Sequence, residues 1–109
     1  MATEEIVLFE DRIDTQRVRV WLERTAAGGI MLLSHDIGPK LERVFGDDEI
    51  ETYLEIDAAD LPALAAALGD ATADPMTLLA ARYRDDTMAT THLRELLAEH
   101  DIPHRFNMV

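Results

Sequence analysis

Residues 49–56 read Glu-Ile-Glu-Thr-Tyr-Leu-Glu-Ile, a strict alternation of apolar and polar side chains with Thr52 in the apolar phase. A period of two is what a half-buried strand requires, because successive side chains leave opposite faces of a sheet. It puts Ile50, Thr52, Leu54 and Ile56 on one face and Glu51, Tyr53 and Glu55 on the other. Residues 17–23 repeat the pattern, with Val18, Val20 and Leu22 opposed to Arg17, Arg19, Trp21 and Glu23. Two such segments commit the chain to a sheet with one oily side and one polar side.

The remaining segments follow from that. Ile6-Val7-Leu8-Phe9 is a compact apolar run, and Asp11 to Thr15 supplies turn residues before the strand at Val18 to Leu22. The two runs predict a hairpin. Ala26-Ala27-Gly28-Gly29 is a second turn, and Ile30 to His35 a third strand. Gly38-Pro39 breaks the sheet. Proline suits the first turn of a helix, where its missing N–H would be unbonded anyway, so Pro39 to Phe45 reads as a short helix closed by Gly46. Past the strand at Glu49 to Ile56 the period lengthens. Ala58 to Leu68 predicts a helix stopped by Gly69, with Pro62 near its first turn. Asp74-Pro75 is a cap followed by proline, opening a helix whose Met76, Leu79 and Tyr83 form one stripe. Thr87 to His100 predicts another, with Leu93, Leu96, Leu97 and His100 on one face, and Arg105 to Val109 a last strand. Strands first and helices later define an α+β fold: an antiparallel sheet of about four to five strands with helices on one face. The length of 109 residues fits a single domain.

Charge bounds the function. Twenty-two acidic residues face ten basic ones, a formal net charge of −12. A phosphate backbone is repelled by such a field, so nucleic acid is an unfavoured partner; the carboxylates serve solubility first and, as the sharper reading, steer a basic partner. The acids concentrate between residues 41 and 60, where eight stand against Arg43 alone. That stretch does not spell a calcium loop, because its glycine precedes the acids and a strand follows at once. With no cysteine, disulfides and thiolate metal sites are excluded. The acidic start lacks the order of a signal peptide, and no apolar run approaches the roughly eighteen residues of a membrane helix, so a soluble, cytoplasmic protein is expected.

Catalytic constellations are absent. Ser34 and His35 are neighbours on a strand and point to opposite faces, so they make no nucleophile–base pair. Gly28-Gly29 lacks the longer pattern of a phosphate loop. His92, Glu95 and Glu99 share a helix flank by spacing, which makes them the best metal candidates; a polar helix edge explains them as well. No cofactor is implied. The polar side of the sheet carries Arg17, Arg19, Trp21, Met31, Leu33, Glu51, Tyr53 and Glu55. Trp, Tyr, Met and Arg are the residue types enriched where proteins meet. A purely structural account pairs Arg17 or Arg19 with Glu51 or Glu55 across strands.

One resemblance is visible. Asp36-Ile37-Gly38, an amphipathic helix, Phe45-Gly46-Asp47-Asp48-Glu49 and the strand to Ile56, then Ile102-Pro103 with Phe106, resemble a set of small uncharacterised bacterial proteins. It covers most of residues 16–109, with Ile50 where those proteins place tyrosine. The resemblance implies a compact α+β fold and carries no activity or catalytic residue. The expectation from the sequence is therefore a non-enzymatic interaction module that docks itself or a basic partner, in the manner of an inhibitor or immunity protein. Its contact surface is the polar sheet face and the acidic edge from Asp47 to Glu55. The alternative is a small metal-dependent binder or enzyme built on His92, Glu95 and Glu99.

Overall fold

The structure, a computed structural model, describes residues 4–13, 15–38 and 49–109. Five strands form one antiparallel sheet in chain order: β1 (Glu5–Ile13), β2 (Gln16–Arg24), β3 (Ile30–Ile37), β4 (Glu49–Ile56) and β5 (Arg105–Met108). Three helices lie between β4 and β5: α1 (Leu61–Ala67), α2 (Pro75–Tyr83) and α3 (Ala89–Glu99). The α+β architecture expected from the sequence is the one observed. The helix expected at Pro39 to Phe45, with Gly46, Asp47 and Asp48 after it, falls outside the described residues.

Register fixes the two faces. Leu22 pairs with Leu32, Leu32 with Leu54, and Leu54 with Phe106, so these four share one side. Ile30 pairs with Ile56, adding a second apolar level. Leu22, Ile30, Leu32, Leu54 and Ile56 are each 0–1% exposed and belong to one buried cluster. All three helices contribute to that cluster: Leu61 and Leu64 from α1, Met76, Leu79 and Tyr83 from α2, and Leu93 and Leu97 from α3. Burying a leucine fully is worth about 1.5–3 kcal/mol, which is why this side holds the molecule together.

β1 departs from simple alternation. The register with β2 shifts between Val7 and Phe9, leaving Leu8 as an extra residue in a β-bulge. Phe9 pairs with Val20 and Ile6 with Leu22, both core-facing, while Leu8 is also buried. The bulge thus turns Leu8 and Phe9 toward the core together, which explains why the sequence shows a run there. Its carbonyl is not wasted: Leu8 O accepts from Asp85 N at 2.9 Å, seating the turn after α2 against the strand.

Three boundaries differ from the sequence reading. β1 continues through Asp11 and Arg12 instead of turning there, because both pair with β2. The segment from Ala58 begins as a 3-10 turn (Ala58–Asp60), and α1 starts at Leu61 with Pro62 in its first turn. α3 spans Ala89–Glu99, shorter than the expected Thr87 to His100. Caps behave as read. Asp74 Oδ1 accepts from Met76 N at 3.3 Å and also takes the Arg24 guanidinium at 2.9 Å, tying β2 to the start of α2. α1 closes through Gly69 at φ +100 and α3 through Asp101 at φ +54, the left-handed position that ends helices. In α3 the Ile102 N–H reaches back to Leu97 O at 2.9 Å, and Ile102 is buried. His100, expected on the apolar stripe, is exposed just before that reversal, because the chain has already left the helix.

Candidate functional site

The second face of the sheet is built in four levels, each a line of cross-strand partners. The first holds Arg12, Arg17, Ile37 and Glu49 on β1 to β4. The next holds Glu10, Arg19, His35 and Glu51. The third holds Val7, Trp21, Leu33, Tyr53 and Asn107, the last from β5. The fourth holds Glu5, Glu23, Met31, Glu55 and Arg105. All eight residues singled out from the sequence lie on this face, and register brings them into adjacent positions. None belongs to the helix-packed cluster.

The aromatic level is its centre. Trp21 and Tyr53 flank Leu33 from the neighbouring strands and are half-buried, as is Met31 one level away. Leu33 is only 8% exposed, less than its expected contact role implies. The two rings beside it close over its flanks, leaving a crevice lined by Trp21, Leu33, Ser34, Glu51 and Tyr53. The rings themselves are pinned by polar ends. Trp21 Nε1 donates to Glu23 Oε1 at 3.0 Å, and the Tyr53 hydroxyl donates to Glu51. That contact with the Glu51 carboxylate pushes the Tyr53 phenol above its ordinary range. The Arg19 guanidinium sits over the Trp21 ring, 4.5 Å from its centre, a cation–π arrangement.

The ion pairs are not those the sequence suggested. Arg19 turns away from Glu51 and Glu55 and binds Glu5 at 2.5 Å and Glu10 at 3.1 Å on β1. Glu55 is taken by Arg105 at 2.7 Å, which also holds Asp57 at 2.8 Å. The cause is strand order: β1 lies beside β2 and β5 beside β4, so those carboxylates and that guanidinium are nearer. Arg12 and Arg17, directly opposed across β1 and β2, make no ion pair among the described residues. Like charges set opposite one another destabilise a sheet, and this pair sits in a chain of net charge −12. With Arg19, His35, Glu10 and Ile37 they line an open groove of about 640 Å³. Arg12, His35, Glu49 and Arg105 belong to the face as much as the eight residues read from the sequence; each depends on a register that only the folded sheet supplies.

Two candidate metal positions can be judged on geometry. His92 does not converge with Glu95 and Glu99 in a close ligand group. Its Nδ1 instead contacts Asp86 Oδ2 at 2.6 Å, and that carboxylate raises the imidazole above its ordinary value. His35, Glu49 and Glu51 do converge, with ligand atoms all within 4.8 Å of one another. Yet His35 Nε2 lies 2.6 Å from Glu49 Oε1, a hydrogen-bond distance. Two ligands about 2.1 Å from one tetrahedral zinc stand about 3.4 Å apart, so the trio as it stands is a bonded polar group. Ser34 and His35 point to opposite faces as expected, and the Ser34 hydroxyl is spent on Thr52.

No family model, curated protein or solved structure matches this chain. No helix among the described residues is long and apolar enough to cross a membrane.

Proposed function

We propose that this chain is a non-enzymatic interaction module that docks a protein surface, its own or a basic partner's, through the outer face of the sheet. The observation carrying this reading is the aromatic level. Trp21, Leu33 and Tyr53 stand side by side on the face opposite the helix-packed core, with Arg19 stacked on the tryptophan. Amphipathic rings anchored at their polar ends give large contact area at little cost in side-chain freedom, the property that makes Trp, Tyr and Arg frequent hot spots. Exposed ion pairs such as Arg19–Glu5 contribute only about 0–1 kcal/mol each, so folding alone does not account for apolar rings set among them. The acidic rim formed by Glu49, Glu51 and Glu55 gives the face its electrostatic selectivity.

Binding assays with the immobilised chain test this. Proteins retained by the wild type should be lost by a Trp21→Ala/Tyr53→Ala variant that keeps its fold by circular dichroism. They should be kept by Glu99→Ala on the helical side. Retention by the double variant as strong as by wild type overturns the reading.

A further inference from the structure

The outer face is self-complementary in charge, and we infer from this that its partner is a second copy of the same chain, joined face to face about a two-fold axis running along β3. The inference rests on the docking role proposed above and names its occupant.

β3 is the middle strand of five, so a half-turn about its direction sets β2 of one copy over β4 of the other, and β1 over β5. Such an operation keeps each level facing the same level. Arg17 then stands opposite Glu49 of the partner copy, and Arg19 opposite Glu51. Trp21 meets Tyr53, Val7 meets Asn107, and Glu5 meets Arg105. Along the axis lie Ile37, His35, Leu33 and Met31, which bring mostly apolar surface against their own images. The result is an apolar centre with a charged rim, the usual anatomy of a protein interface. Glu23 against Glu55 opposes it, but both carboxylates already have a donor, Trp21 Nε1 and Arg105 respectively; Glu10 falls over Val109, without a cation opposite, and keeps its own pair with Arg19. The same arrangement gives Arg17, which makes no ion pair among the described residues and is opposed by Arg12 across the strands, a carboxylate to face.

Two same-handed twisted sheets pack face to face with strands roughly aligned, so the geometry is ordinary. Strands about 4.8 Å apart at about 3.3 Å per residue, nine residues long in β1 and β2, eight in β3 and β4 and four in β5, cover about 600 Å². A standard stable interface buries about 800 Å² per partner, which places this one in the weak range. The net charge of −12 on each copy also opposes encounter at long range, so local pairs must hold the dimer. A micromolar or weaker dimer is expected.

Charge reversal separates local pairing from global repulsion. In sedimentation equilibrium, R17E and E49R should each weaken dimerisation about tenfold or more, although E49R lowers the net negative charge. R17E/E49R keeps the wild-type net charge and restores the facing pair, so it should return to within about threefold of wild type. The chain has no cysteine, which allows a positional check: V7C and N107C, mixed, should be joined between copies by a short bis-maleimide. Dimerisation untouched by the reversals, or a chain that stays monomeric to near-millimolar concentration, overturns the inference. The second result leaves the docking face standing, since the alanine variants of Trp21 and Tyr53 test that face against any other protein.

Discussion

Leu32 and Leu33 are neighbours on β3 with the same side chain and opposite destinations, so truncating each in turn measures what separates the two faces. Leu32 is 1% exposed and packed within the core cluster; Leu33 is 8% exposed beneath Trp21 and Tyr53. Leu→Ala removes three carbon groups, about 2.4 kcal/mol of transfer free energy at about 0.8 kcal/mol each. At Leu32 a cavity term adds to it, because helices on one side and strands on the other hold the walls apart, giving about 3–4 kcal/mol in total. At Leu33 the space opens to solvent through the crevice and the rings can close over it, so the cost stays at about 2 kcal/mol or below. Domains of this size are stable by about 5–15 kcal/mol, so both variants remain folded and measurable. Urea unfolding at low protein concentration reads the difference, with Trp21 as the sole tryptophan reporter and circular dichroism as a second probe. A Leu33→Ala cost equal to or above that of Leu32→Ala would show a second sealed core over that face. The reasoning that assigns it to a partner would then fail.

Other predictions follow from single sites. Asp101 holds a left-handed φ of +54 at the close of α3, so Asp101→Gly should raise stability by about 0.5–1 kcal/mol in the same unfolding assay; a loss would refute the strain. The Asp86 carboxylate lifts His92 above its ordinary value of 6.5. This contact stabilises the fold fully below 6.5 and loses its effect as pH rises through the raised folded value. NMR titration should find His92 above 6.5 and back near it in Asp86→Asn. Asp36 faces the core side between Val18 and Ile50, where burial pushes its carboxyl above 3.8, with the His35 charge working against the shift. Since its raised folded value disfavours the charged form, Asp36→Asn should stabilise at neutral pH. The gain should vanish as pH falls through that value toward 3.8; a pH-independent difference would contradict the cause.

How far the sequence spoke can be followed residue by residue. The alternations at Arg17–Glu23 and Glu49–Ile56 are local, so both faces and six of the eight outer residues were legible before any coordinates; Met31 and Leu33, in an unbroken apolar run, followed only from the parity of the third strand. The caps at Asp74 and Gly69 were legible for the same reason. Leu8 was not: a bulge looks like a plain apolar run until its partner strand is known. The ion pairs were misplaced because they depend on strand order, which put Glu5 and Glu10 beside Arg19 and Arg105 beside Glu55. His35 with Glu49 and Glu51 was missed on similar grounds, since thirteen residues intervene between His35 and the nearer glutamate. The helical spacing of His92, Glu95 and Glu99 could not show Asp86, which comes from the preceding turn and takes the His92 imidazole.

The central claim is that Trp21 stands on a face left for another molecule, and collisional quenching of its fluorescence by acrylamide measures this directly. The account predicts substantial quenching in dilute protein, consistent with a half-buried ring, and progressive protection as the concentration rises toward that of the dimer or as a partner is added. A ring equally shielded at every concentration, or equally open with every partner offered, would contradict it.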